Sequence, residues 1–183
     1  ETGKLKQVYV YNDGKIIKKF NYFVFYPDNE SPNNNFFKGK PKEMGYMRNN
    51  KKNGDWIYYG KYGEIDLEGS YIDGLKDGVW LNYHTKRHIT EIDEDDIGKL
   101  FADDSNELFS KSNYKDGKRD GEYFIYRKGD VSQKKTFQDG KENGEFIVYW
   151  SNEKIDIKGN MKDDKLHGDV FKYNEDGALY TQC

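Results

Sequence analysis

One cysteine stands in 183 residues, and it is the last. Cys183 therefore has no intrachain partner, and a disulfide scaffold is excluded. No stretch approaches 18 apolar residues, so the sequence holds no transmembrane helix. No charge excess points to nucleic acid. Thirty basic and 33 acidic residues are interspersed for a net charge of −3, whereas a nucleic-acid interface shows a basic excess. Catalytic patterns are also missing: there is no GxSxG, no HExxH and no Cys–His nucleophile pair. The expectation is a non-enzyme with no cofactor. Of the three histidines, His84 and His88 flank a hairpin tip without further ligands, and zinc needs three or four that converge.

What is abundant is aromatic. Charged residues make up 34% of the chain, which alone leans towards disorder. Aromatic residues make up 16%, and rings that bury large areas supply the core that such a composition otherwise lacks.

The chain repeats itself. GDWIYY begins at Gly54, GVWLNY at Gly78, GEYFIY at Gly121, GEFIVY at Gly144 and GDVFKY at Gly168. The spacings are 24, 43, 23 and 24 residues. Gly98, opening GKLFAD, divides the long gap into 20 and 23, giving six anchor glycines. After each anchor strand comes a polar turn, then a second strand such as EIDLEGSY or KIDIKGNM, with apolar residues at every other position. That period of two marks half-buried antiparallel strands. Asp-Gly and Asn-Gly pairs supply the turns. The expected fold is all-β, an elongated antiparallel meander of hairpins about 23 residues long, with residues 46–177 as the regular array. Residues 4–45 read as irregular, degenerate hairpins around a loop at 27–35, and residues 178–183 as a tail. The opening Glu1-Thr2-Gly3 reads as a vector scar from secretion, which implies a protein exported or displayed outside the cell.

The recurring Y-x-D-G-K-x-x-G-x-aromatic-x-x-Y resembles the MORN-repeat superfamily, and in particular the variant in bacterial YwqK-family, antitoxin-type proteins. Tyr46 to Tyr173 carries the resemblance. It implies a repeat surface that binds a partner. A protein or glycan partner at a bacterial surface is the first expectation, and a cytoplasmic antitoxin-like neutraliser is the alternative. Association with phospholipid is a lesser implication, because no basic patch supports it. Open sheet edges allow a dimer.

Two candidate sites follow from the residues. Positions three after each anchor (Ile57, Leu81, Phe101, Phe124, Ile147, Phe171) are read as core. Positions two and four after it lie on the opposite face, where a single-layer sheet either curls to cover the rings or leaves them for a partner. On the second reading Trp56, Tyr58, Trp80, Tyr123 and Phe146 bind the ligand. Separately, Asp93, Asp95 and Asp104 fall at EF-hand-like loop positions. Ile97 at position 5 and the lack of flanking helices favour a solvated acidic turn. DGKRDG, at Asp116 to Gly121, is followed by a strand rather than a helix, so it is a turn and not a phosphate loop.

Overall fold

The computed structural model describes residues 8–20, 22–25, 41–60, 64–84 and 107–182, and their regular structure is entirely β. β1 (Val8–Asn12) and β2 (Lys15–Phe20) pair only with each other. All other strands form one antiparallel sheet of fourteen. Its path runs β3 (Tyr22–Phe25), β4 (Pro41–Arg48), β5 (Lys51–Tyr59), β6 (Ile65–Ile72), β7 (Leu75–Tyr83), β8 (Leu108–Lys115), β9 (Lys118–Arg127) and β10 (Asp130–Gln138). It continues through β12 (Gly144–Tyr149), β13 (Ile155–Lys162), β15 (Phe171–Tyr173) and β16 (Leu179–Gln182). The two-residue strands β11 (Lys141–Glu142) and β14 (Lys165–Leu166) extend β10 and β13. Each strand pairs with its sequence neighbour, as the expected meander requires.

The turns have one chemistry. Asp73-Gly74, Asp116-Gly117 and Asp139-Gly140 place both residues at positive φ, near 50° for Asp and 81° to 91° for Gly. This backbone twist matches the twist of the flanking strands. Asn49-Asn50 and Asp163-Asp164 adopt the same form. Four of these five turns also bond to the preceding repeat. The amides of Gly74, Gly117, Gly140 and Asp164 donate to the carbonyls of Lys52, Lys76, Arg119 and Glu142 at 2.8–3.0 Å. The turns thus stack and fix the backbone two residues before each anchor. The anchor glycines mark bulges. Gly121, at φ 102°, lies where three residues of β9 oppose the single Asn113 of β8.

Across the 43-residue gap the sheet is continuous. β7 pairs directly with β8, Gly78 opposite Tyr114, just as Gly54 lies opposite Tyr71 in β5–β6. The His84 amide donates to the Glu107 carbonyl at 2.9 Å, closing the hairpin tip as Gly60 does on Glu64, also at 2.9 Å. Among the described residues β7 and β8 thus form one hairpin, with residues 85–106 lying between them in the chain. Gly98, proposed as an anchor, lies outside the described residues, as do Phe101 and the acidic candidates Asp93, Asp95 and Asp104. Loop closure explains the tolerance, because lengthening a tip this much costs only about 2 kcal/mol.

Both ends also differ from expectation. The β1–β2 hairpin is not part of the meander. It lies against β4 and β5 on the sheet face that carries Ile57, with Lys18 reaching Glu68 at 3.7 Å and Lys19 placed over the Tyr46 ring. Phe20 at its end is 1% exposed. At the other end the supposed tail is β16, paired to β15 through Phe171–Gln182 and Lys172–Thr181.

Replacing residues 85–106 by a three-residue link should leave the sheet intact and the melting transition cooperative. Loss of the β signature in circular dichroism would show that this segment contributes a strand.

Candidate functional site

Trp56 and Trp80 are buried, 0% and 2% exposed. Among the described residues the sheet achieves this without a second layer on the indole face. Opposite each indole, on the preceding strand, sits a glycine: Gly45 beside Trp56 and Gly69 beside Trp80. A β-carbon on Gly69 would lie 2.3 Å from Trp80 Cδ2, and one on Gly45 would lie 2.1 Å from Trp56 Cδ2. The indole lies flat in the space a side chain would fill. Its Nε1 then donates to the carbonyl one residue further on, Tyr46 at 3.2 Å and Ser70 at 3.1 Å. Tyr71 stands edge-on between the two indoles, with centroids 5.9 and 5.0 Å away.

The same two positions vary together along the array. Nine residues before the anchors stand Gly45, Gly69, Ser112, Lys135 and Gly159; two after stand Trp56, Trp80, Tyr123, Phe146 and Val170. The largest rings go with glycine. Gly159 faces a valine, and Phe146 from the other neighbouring strand leans over it instead, 2.8 Å from where its β-carbon would be.

Cations roof this indole face. Lys52 lies 3.9 Å above the Trp56 ring, Lys76 4.0 Å above Trp80 and Arg119 4.8 Å above Tyr123. These residues hold the backbone positions fixed by the stacked turns. The Lys52 ammonium also donates to Glu43 at 3.0 Å and to the Tyr58 hydroxyl at 2.8 Å. In the next-to-last unit the charges are exchanged: Glu142 takes the place of the cation and pairs with Lys135, which takes the place of the glycine.

The ligand-facing reading of this row is therefore corrected for Trp56 and Trp80, whose rings are sealed by glycine beneath and a cation above. Tyr58, Tyr123 and Phe146 are half-buried in the same row, and the Tyr58 hydroxyl is engaged with Lys52 and Tyr71. The opposite, far face is also not a uniform core. Ile57 is buried near the β1–β2 hairpin, but Leu81, Phe124, Ile147 and Phe171 are half-exposed. Across the sheet they alternate in register with charges: Leu81, Lys111, Phe124, Lys134, Ile147, Lys158 and Phe171. Lys134 is paired to Glu122 at 2.7 Å, a bond that raises its pKa, and Lys158 lies over Phe171 and Tyr173. The lysines of this pattern stand in the sequence ten residues before Gly121, Gly144 and Gly168. Period-two reading alone gave no reason to pair them with the row on the next strand.

Among the described residues no cluster of His, Cys, Asp and Glu has the makings of a metal site. His84 stacks edge-on against Phe109 at 4.9 Å. No family model matches the chain, and no curated protein matches it.

Gly69→Ala should destabilise the protein by about 1–3 kcal/mol through overpacking against Trp80. Trp80→Phe in the same background should recover part of that loss in denaturant unfolding. Independent, additive effects would contradict the stacking. A second expectation concerns alkaline pH. Burial raises the phenol pKa of Tyr58, Tyr71 and Tyr83; the last two are raised further by hydrogen bonds, Tyr71 with Tyr58 and Tyr83 with Glu68. The unfolded phenols ionise near about 10. The stabilisation is thus complete below that pH and lost as pH rises through the window above it. Melting temperature should fall there, and less steeply in Tyr71→Phe; equal slopes would count against the buried phenol pair.

Proposed function

We propose that the chain is a non-enzymatic binding module that engages a protein partner outside the cell through the far face of β8 to β15. The observation that carries this reading is the half-exposed ladder of Phe124, Ile147 and Phe171 between Lys111, Lys134 and Lys158. Among the described residues the β1–β2 hairpin lies against β4 and β5, with Lys18 reaching Glu68 of β6. A run of half-exposed rings beyond it is the kind of surface soluble proteins reserve for contact. Aromatic anchors ringed by charge also match the energetics of protein interfaces, where a few large side chains carry most of the affinity. The resemblance to MORN-type arrays supports a binding role, and its antitoxin-type branch supplies the rival outcome.

A photo-crosslinking residue at position 147 should capture a surface protein from target cells, while the same residue at position 58, on the indole face, should not. Phe124→Ala and Phe171→Ala should each weaken the captured complex by about tenfold, the size of a modest hot spot. Crosslinking from position 58 alone, or recovery of an intracellular toxin as the partner, would overturn the assignment.

A further inference from the structure

Lys76 and Arg119 differ from the other members of their row. Lys52 is neutralised by Glu43 at 3.0 Å, and Glu142 is matched by Lys135. Lys76 and Arg119 keep the cation and the rings, Trp80 and Tyr114 for one, Tyr123 and Phe137 for the other. Neither has a carboxylate partner among the described residues. The position nine residues before the cation, which is Glu43 for Lys52, is Leu67 for Lys76 and Ser110 for Arg119. Asp120, next to Arg119, accepts from the Asp139 amide at 3.2 Å instead. Two half-buried like charges thus stand on alternate strands with no counter-ion. Burial, and then the proximity of Arg119, lowers the pKa of the Lys76 ammonium. In a chain of net charge −3 this local excess is costly unless something answers it.

We propose that Lys76 and Arg119 form a receptor for the carboxylate or sulfate groups of an acidic polysaccharide laid across β7 to β9 on the indole face. Lys76 and Arg119 stand on β7 and β9, two strand spacings or about 9.6 Å apart across the sheet, and the register offsets them by two residues along it. An acidic polysaccharide repeats like groups, its carboxylates or its sulfates, once per disaccharide and spaces each set on that scale. A nucleic-acid strand spaces its phosphates about 3.4 Å apart along the axis and matches the pair poorly. The half-exposed ring of Tyr114 between the two cations offers an apolar platform for sugar C–H groups. The site lies on the face opposite the protein-contact ladder, so failure of either assignment leaves the other standing.

Calorimetry with a chondroitin sulfate hexasaccharide tests this. Binding is expected, with the Lys76 ammonium pKa rising on saturation by NMR titration. Lys76→Gln and Arg119→Gln should each weaken binding by at least about tenfold, the loss expected of one charge-assisted contact. Leu67→Glu places next to Lys76 the carboxylate that Glu43 gives Lys52, and should weaken binding equally with both cations retained. Lys165→Gln, an exposed charge elsewhere, should change nothing. Native amide spectra identify which variants fold, and Lys76→Arg, which keeps charge and stacking, should bind. A hyaluronan hexasaccharide of equal affinity assigns the contact to carboxylate rather than sulfate, within the proposal. No binding, unchanged binding by Leu67→Glu, or tighter binding of oligo-dT would overturn it.

Discussion

The structure depends on an indole lying flat over a glycine. A single-layer sheet has no second layer to bury its rings, so it must bury them within one face. Removing the β-carbon at Gly45 and Gly69 opens the floor for Trp56 and Trp80. The indole N–H is satisfied by a carbonyl one residue on, which removes the cost of burying a donor. The roof is a lysine whose own carbonyl receives the next turn, at Lys52 and Lys76 alike. Ring, glycine, cation and turn are therefore one unit at Trp56 and Trp80, and the stacked turns continue at Arg119 and Glu142.

Much of this was legible in the sequence. The Asp-Gly turns, the anchor glycines and the period of two led to the meander, because each encodes local backbone geometry. The choice of face was not legible. Residues at two and three positions after an anchor are both large and apolar, and alternation says only that they point oppositely. The deciding signal lay on another strand, in the pairing of Gly, Gly, Ser, Lys and Gly with Trp, Trp, Tyr, Phe and Val. It becomes visible only once register places nine-before opposite two-after. Gly98, an anchor by spacing alone, lies outside the described residues; Asp103 stands where the other anchors have tyrosine, and Ile89 where the two tryptophan repeats have glycine.

The functional consequence is a division of labour between the faces. The indole face spends its largest rings on stability and keeps only its cations accessible to chemistry. Lys52 is neutralised by Glu43, whereas Lys76 and Arg119 lie over rings without a carboxylate partner among the described residues. The far face has no glycine floor, so its rings stand up between lysines and stay half-exposed. The β1–β2 hairpin lies against the N-terminal end of that face, at β4, β5 and Glu68.

Hydroxyl-radical footprinting read by mass spectrometry tests the central claim most directly, because it reports side-chain access residue by residue. Trp56 and Trp80 should remain protected in the native protein, while half-buried Trp150 and the rings of Phe124 and Phe171 are modified. Modification of Trp56 and Trp80 to the extent of Trp150, with Phe124 and Phe171 protected, would contradict the account and return the binding strip to the indole row.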